Sequence, residues 1–295
     1  HELIVYMTKN GSKLNGRNFP DVWRVKRVHG SIYPTQKPTE VFEIMITIST
    51  DNWSITDIDA VLFDKDGTLI DSHLYWGRVI ENRSRAMIKK LGLGNELHQK
   101  LCLLMGYSLK EKKLLPEGPI ALVSREEVIK ILLEYLRSIN VNANEQELSS
   151  LFATVHKDFL KELYDYTKIL PGVESFLKKL KGKSIKTAVI TTDSHNNAVE
   201  IIKHLKLDGM FDLIMGKESS PHPKTTGIPA VEAMEKLGVK AKNTVCIGDA
   251  PMDIIMGTMA GLKACIGIAQ GQIPYETLAK ETKYALKQYE DLKIA

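Results

Sequence analysis

The chain of 295 residues has little of what marks several classes of protein. Its three cysteines are widely spaced and form no C-x-x-C pair, so we expect a protein of the reducing cytoplasm without a disulfide framework: Cys102, Cys246 and Cys265. No apolar run reaches the roughly 20 residues of a membrane-spanning helix, and no basic-then-apolar leader peptide occurs. Basic residues exceed acidic ones by only 40 to 36, which is too small an excess to indicate a nucleic-acid partner.

The chain does have abundant apolar residues, arranged in short runs that alternate with amphipathic segments. Hydrophobic residues make up 43% and charged residues 26%, as in globular proteins with a sizeable core. From about residue 55 onward, strand-like and helix-like segments alternate, which predicts an α/β fold with a doubly wound, mostly parallel sheet. Strands are predicted at 60–63, 187–190, 213–215, 244–247 and 264–268, with a last strand at 284–286.

A long helical segment interrupts this alternation after the first strand of the sheet. Residues 75–166 carry apolar residues at the three-and-four spacing of amphipathic helices. The segment is far too long for an ordinary crossover, so we predict an inserted, all-helical cap domain that lies over the site and acts as a lid. The core domain would then comprise residues 55–74 and 167–295, and residues 1–54 would form an extension.

Two aspartates follow the first strand of the predicted core. Asp64 and Asp66 are one residue apart in Asp-Lys-Asp-Gly-Thr, and side chains two apart on an extended chain point the same way. Parallel sheets bind ligands at this edge, which favours a carboxylate nucleophile beside a carboxylic acid. A calcium loop is disfavoured because its bidentate glutamate would have to replace Tyr75. Simple capping of the turn stays an alternative.

Polar residues also follow the later strands. Thr191 and Thr192 precede a helix whose free N–H groups favour phosphate, although capping of that helix is the alternative. Lys224, in a proline-containing loop, would reach a phosphate as a point charge unless it is a solvated surface lysine. Asp249 follows the strand at 244–247, and Asp253 lies on the first turn of the next helix, where it would also favour the helix dipole.

The four aspartates of these motifs would place several negative charges in one crevice. Two like charges about 4 Å apart repel by roughly 4 kcal/mol at an effective dielectric constant near 20. A bound phosphate would increase this repulsion, and a single lysine cannot balance it. A hard divalent cation with oxygen ligands is therefore expected, and Mg²⁺ fits best.

The chain resembles the haloacid-dehalogenase-like hydrolase superfamily over roughly residues 57–295. The segment Leu170-Pro171-Gly172-Val173, which re-enters the core after the insertion, is similar to the phosphoglycolate-phosphatase-like branch with a small helical cap. Two departures leave the substrate open: Thr192 stands where relatives often carry asparagine, and the usual proline after the lysine is absent. The motifs that carry the resemblance occur in the family's order: Asp64-Lys65-Asp66-Gly67-Thr68, Thr191, Lys224, and Gly248-Asp249 with Asp253.

The resemblance implies a Rossmann-like core and a Mg²⁺-dependent hydrolysis of a small phosphorylated metabolite through an aspartyl-phosphate. It implies that Asp64 is the nucleophile and that Asp66 protonates the leaving oxygen and then activates water. It assigns the remaining roles to the metal ligands Asp64, Asp66 (through its backbone carbonyl) and Asp249, to the phosphate-binding residues Thr191, Thr192 and Lys224, and to Asp253, which would position Lys224 or the waters of the metal.

Two alternatives remain open. A phosphomutase of the β-phosphoglucomutase type would use the same residues. The other alternative starts from residues 1–53, in which 21–25 and 33–40 resemble the tail of amino-type DNA methyltransferases without their catalytic tetrad. The chain would then be an inactive fusion remnant whose N-terminal segment binds nucleic acid. Because the chain begins with His1, we expect a fragment or a processed product.

Overall fold

The structure is a computed structural model that describes Leu3–Val5, Trp23–Val25, 45–121 and 123–295. The chain divides into two compact units, His1–Ile58 with Leu292–Ala295, and Asp59–Asp291. The predicted division into an extension, a core and a cap stays a prediction. Apart from Trp23–Val25, the methyltransferase-like segments lie outside the described residues.

The first unit contains short antiparallel strands. Strand β1 (Leu3–Val5) pairs with β2 (Trp23–Val25). A separate sheet places β3 (Ile48–Ser49) between its two partners, which are β4 (Ser54–Ile55) and β12 (Lys293–Ile294) at the end of the chain. The last strand therefore belongs to the same small sheet as residues that precede the second unit.

The second unit is built on a five-stranded, fully parallel sheet. Its strands are β5 (Ala60–Phe63), β8 (Lys186–Ile190), β9 (Leu213–Met215), β10 (Thr244–Gly248) and β11 (Ala264–Gly267), in the spatial order β11-β10-β5-β8-β9. β5 lies in the middle and is buried along its whole length, because helices cover both faces of such a sheet. The α/β fold class with a mostly parallel sheet is confirmed.

Helices connect these strands as the periodicity predicts. They are α5 (Val173–Gly182), α6 (His195–His204), α7 (Ile228–Leu237), α8 (Pro251–Met259) and α9 (Tyr275–Glu281). The strand expected at 284–286 is wrong in extent, since Leu286 forms only a single bridge, to Ile268. No helix among the described residues is both long enough and apolar enough to cross a membrane.

The insertion between β5 and β8 is helical, as expected. It contains α1 (Ser72–Leu91), α2 (His98–Leu104), α3 (Arg125–Ser138) and α4 (Glu145–Phe159). A two-stranded ribbon, β6 (Tyr107–Ser108) with β7 (Lys113–Leu114), adds a feature that was not predicted. The helices share an apolar core that contains Ile80, Leu132 and Phe152, so the cap has a hydrophobic interior of its own.

Local signals explain where the cap helices begin. The Asp71 side chain accepts from the N–H of Leu74 and starts α1. Ser124 and Glu127 form a reciprocal capping box at α3. Asn144 is the N-cap of α4, and its side chain accepts a hydrogen bond of 2.9 Å from the N–H of Glu147.

Candidate active site

The predicted site residues converge because their strands are neighbours in the sheet. Asp64 directly follows the central strand β5, Thr191 follows β8, and Asp249 follows β10. The N–H of Asp64 continues the ladder by donating to the carbonyl of Ile247 at 2.9 Å. The carboxyl ends of these parallel strands therefore meet at one edge, and all three side chains are buried there.

The turn after Asp66 depends on a glycine. Gly67 has a φ of +85°, and a Cβ atom at this position would lie 2.2 Å from Oδ2 of Asp249. A Cβ atom on Gly271 would lie 1.8 Å from the same oxygen. Asp249 thus fits between two glycine backbones, and no larger residue could stand at either position without displacing it. This is a tight turn under a carboxylate rather than a calcium loop.

Lys224 bridges two of the predicted carboxylates. Its Nζ donates to Oδ1 of Asp64 at 2.5 Å and to Oδ1 of Asp253 at 2.8 Å. The ammonium is buried, and although burial alone would lower the pKa of Lys224, Asp253 and Asp64 raise it above its usual range. Lys224 is therefore held as a cation inside the site, and it is not a solvated surface lysine.

Three carboxylates form a group that could hold a metal ion. Ligand atoms of Asp64, Asp249 and Asp253 all lie within 4.8 Å of one another. Burial raises the pKa of Asp249 well above its usual range, and the negative charges of Asp64 and Asp253 add to the rise. Burial also raises the pKa of Asp253 to about 6, against the effect of Lys224. When all three carboxyls are ionised, only the ammonium of Lys224 is close enough to balance them, and their hard oxygen atoms suit a divalent cation.

Asp66 does not belong to that carboxylate group. Its Oδ1 accepts a hydrogen bond of 2.7 Å from Nζ of Lys65 instead. Burial raises the pKa of Asp66 to about 6, Lys65 opposes this, and Asp193 and Asp64 add to it. A pKa near neutrality is the property that general acid–base catalysis requires. The predicted metal contact of Asp66 through its backbone carbonyl stays a prediction.

Sequence reasoning missed Lys65 and Asp193. Lys65 is fully buried, and its Nζ lies 3.1 Å from Oδ2 of Asp193 as well as near Asp66. A lysine between two aspartates, two residues after the last residue of a buried apolar strand, is the signal that could have identified the pair, because such a charge must find partners when it is buried.

The predicted phosphate-binding threonines occupy different positions. Oγ1 of Thr191 accepts from the N–H of Asp193 at 3.1 Å, so this hydroxyl supports the loop. Thr192 lines the main cavity beside Lys224. The N-cap of α6 is Ser194, whose side chain accepts from the N–H of Asn197. Ser194 therefore caps α6, and neither Thr191 nor Thr192 is its N-cap.

A cavity of about 750 Å³ lies over these groups. Its walls come from the sheet edge and from the cap, which contributes Trp76, Ile120 and Arg125 among others. The predicted residues on its wall are Asp64, Asp66, Thr192, Lys224, Asp249 and Asp253. The volume exceeds what a phosphate group alone requires, so the cap side has room for the rest of a small molecule.

Gln272 connects the cap to the acidic edge of this cavity. Its Nε2 donates to the carbonyls of Leu115 and Gly118 at 2.6 and 2.9 Å. Its backbone N–H donates to Asp249 and lowers the pKa of that carboxyl against the larger effect of burial. One residue of the loop after β11 therefore contacts both the cap and the carboxylate group.

The model of the haloacid dehalogenase-like hydrolase family matches residues 58–261, which covers most of the chain. The chain belongs to this family. A phosphoglycolate phosphatase from Neisseria meningitidis is 30% identical over 221 residues, covering 75% of this chain and 84% of that protein. Pyrophosphatase PpaX from Halalkalibacterium halodurans is 32% identical over 111 residues, covering 38% of this chain and 49% of that protein.

A solved structure shares the fold over most of this chain. The crystal structure titled as a predicted phosphoglycolate phosphatase from Haemophilus somnus superposes with a TM-score of 0.63 at 20% identity, covering 80% of this chain and 97% of that one. The family model and the curated relatives confirm the expected phosphoglycolate-phosphatase-like branch and show that the chain is an enzyme of a phosphatase class. The resemblance of the first residues to methyltransferases stays a prediction.

Proposed function

We propose that the protein hydrolyses the phosphate monoester of a small metabolite through an aspartyl-phosphate on Asp64, with Mg²⁺ as cofactor. The observation that carries this proposal is that two carboxyl groups, those of Asp64 and Asp66, lie with the ammonium of Lys224 on one cavity wall. A nucleophile, a fixed cation and an acid with a pKa near neutrality are the groups that phosphoryl transfer to a carboxylate needs.

The first step would transfer the phosphoryl group to Asp64. Lys224 donates to Oδ1 of Asp64, which leaves Oδ2 to attack phosphorus. The same ammonium would neutralise charge on the phosphoryl oxygens, and Thr192 would line their path. As the bond from phosphorus to the leaving oxygen breaks, Asp66 gives its proton to that oxygen and releases an alcohol.

The second step would return the enzyme to its starting state. Asp66, now a carboxylate, takes a proton from water, and the water oxygen attacks the phosphorus of the aspartyl-phosphate. The bond to Asp64 breaks, phosphate leaves, and Asp66 is again protonated. The cavity walls of the cap, including Trp76, would limit access of bulk water to the intermediate.

Asp64, Asp249 and Asp253 are the residues that would hold the cofactor. The buried excess of negative charge supports this choice, and Mg²⁺ would supply charge neutralisation for the phosphoryl group. Asp253 also accepts from Lys224, so its predicted supporting role has a direct contact. A cytoplasmic location stays a prediction from the cysteine pattern. All three cysteines are free and buried in the structure.

The test is release of inorganic phosphate from 4-nitrophenyl phosphate by pure protein, with Mg²⁺ and with EDTA. We expect Asp64→Asn to abolish release and EDTA to suppress it. Lys186→Met, a change at the exposed first residue of β8 and at the opposite end of that strand from the site, should leave release intact. Release by Asp64→Asn equal to that of the unaltered protein would refute the proposal. A panel of phosphorylated metabolites then identifies the substrate, and an isomeric sugar phosphate in place of free phosphate would indicate the phosphomutase alternative.

A further inference from the structure

Lys65 is a charged residue in a position where burial is costly. Its side chain is fully buried, and its ammonium lies between Asp66 at 2.7 Å and Asp193 at 3.1 Å. The third side of the ammonium faces the ring of Tyr75, with the ring centroid 5.2 Å away. Burying a lysine and pairing it with two acids does not stabilise a fold as well as an apolar side chain of similar size would, because the desolvation of the charges costs free energy.

The contact with Asp66 distinguishes the two oxygens of that carboxyl. An ammonium has only donors, so the oxygen that it contacts must accept a hydrogen bond. Oδ1 of Asp66 is that oxygen. A proton on the carboxyl therefore belongs on Oδ2, which has no hydrogen-bond partner within the described ranges. Asp66 lines the cavity, so Oδ2 is the oxygen available to a bound leaving group.

Lys65 is held independently of Asp66. Oδ2 of Asp193 forms an ion pair with Lys65 at 3.1 Å and accepts a hydrogen bond from Nδ2 of Asn197 at 2.5 Å. Oδ1 of Asp193 accepts from the N–H of Ser194 at 2.7 Å. Nδ2 of Asn197 also donates to the hydroxyl of Tyr75 on α1 at 3.2 Å. The ammonium thus keeps one anchor when Asp66 loses or gains a proton, and it can restore the same orientation after each step.

We propose that Lys65 is a positioning residue for Asp66, which fixes Oδ2 as the atom that carries the transferable proton. This rests on the proposed function. In the first step the proton leaves Oδ2 for the leaving oxygen while the bond from that oxygen to phosphorus breaks and Asp64 bonds to phosphorus. In the second step Oδ2 takes a proton from the attacking water, and the bond between phosphorus and Asp64 breaks. Lys65 gives up no proton in either step.

The test uses the dependence of kcat/KM on the leaving group, since a good leaving group needs no proton and a poor one does. The test compounds are 4-nitrophenyl phosphate, phenyl phosphate and a primary alkyl phosphate, in the order in which their leaving groups increasingly need a proton. In Lys65→Met we expect kcat/KM to fall about 10- to 100-fold for the alkyl phosphate and less than about 3-fold for 4-nitrophenyl phosphate, because general acid catalysis contributes about 10²–10⁴-fold. Asp66→Asn should show the same trend more steeply.

A merely structural role would give a different result. Lys65→Met would then lower kcat/KM by the same factor for all three compounds, and either this or an unchanged series would overturn the proposal. Lys186→Met, which removes an exposed lysine paired with Asp212, is the matched control and should follow the unaltered protein. If Lys65→Met does not fold, the double variant Lys65→Met with Asp193→Asn removes both partners of the ion pair. A loss of kcat/KM that is larger for the alkyl phosphate than for 4-nitrophenyl phosphate supports the proposal in that variant too, and a uniform loss or an unchanged series overturns it. No release from any compound by the unaltered protein would instead refute the proposed function, and this proposal with it.

Discussion

Removal of Lys224 should make the stability of the protein depend on a divalent cation. Its ammonium neutralises Asp64 and Asp253, and Lys224→Met would leave the group Asp64, Asp249 and Asp253 without an internal counter-ion. Removing one partner of a buried ion pair costs about 3–5 kcal/mol. In a unit of this size, about 1 kcal/mol shifts the Tm by roughly 2–4 °C, so the Tm should fall by roughly 6–20 °C.

The assay is thermal unfolding in EDTA and in saturating Mg²⁺. In EDTA the full loss should appear, and Mg²⁺ should recover a large part of it, because a bound cation would neutralise the same carboxylates. Lys186→Met removes a half-exposed lysine from an ion pair with Asp212 and should cost at most about 1 kcal/mol. The reasoning fails if Lys224→Met melts at the same temperature as Lys186→Met in EDTA, or if Mg²⁺ stabilises Lys224→Met no more than the unaltered protein.

Three further changes test other parts of the structure. Gly67→Ala should reduce kcat about 100-fold or more, because its Cβ would displace Asp249, with which it would overlap at 2.2 Å; unchanged kcat would contradict the tight turn. Arg83→Met should raise the free energy of unfolding by about 1–3 kcal/mol, since the buried guanidinium lies over Phe152 and no acid pairs with it in the described part of the chain; a loss of stability in chemical denaturation would refute this. Asn144→Ala should cost about 1 kcal/mol in the same assay through loss of the α4 N-cap, and Asn144→Asp should cost little.

The strands of the sheet were predictable because their signals are local. Ala60–Phe63 is a short apolar run that ends in aspartate and glycine, and it forms a strand with the predicted bounds. The run at 284–286 carries a similar apolar signal but forms only one bridge, through Leu286. Whether a short apolar segment becomes a strand depends on a free sheet edge, which the sequence alone does not show.

The positions of the aspartates in the site were predictable, and their pairings were not. Spacing placed Asp64 and Asp249 at one edge, where the structure has them. Alternation along a strand indicated that Asp64 and Asp66 point the same way, and both line the same cavity. The contact of Asp66 with Lys65 was not predicted. The ammonium of Lys224 lies between Asp64 and Asp253, a contact across 160 and 29 residues of sequence. Contacts between elements that are remote in sequence follow from packing, for which a single sequence carries no local signal.

The double contact of Gln272 has a consequence for the timing of turnover. Lifting the cap would break its two hydrogen bonds to the carbonyls of Leu115 and Gly118, at about 0.5–1.5 kcal/mol each. If the cap opens as the sequence predicts, these two hydrogen bonds would favour the closed arrangement by about 1–3 kcal/mol, or roughly 5–150-fold. Because the backbone of Gln272 also donates to Asp249, opening would disturb the carboxylate group at the same moment. Gln272 would therefore couple movement of the cap, through its side-chain amide, to the carboxylate group, through its backbone N–H.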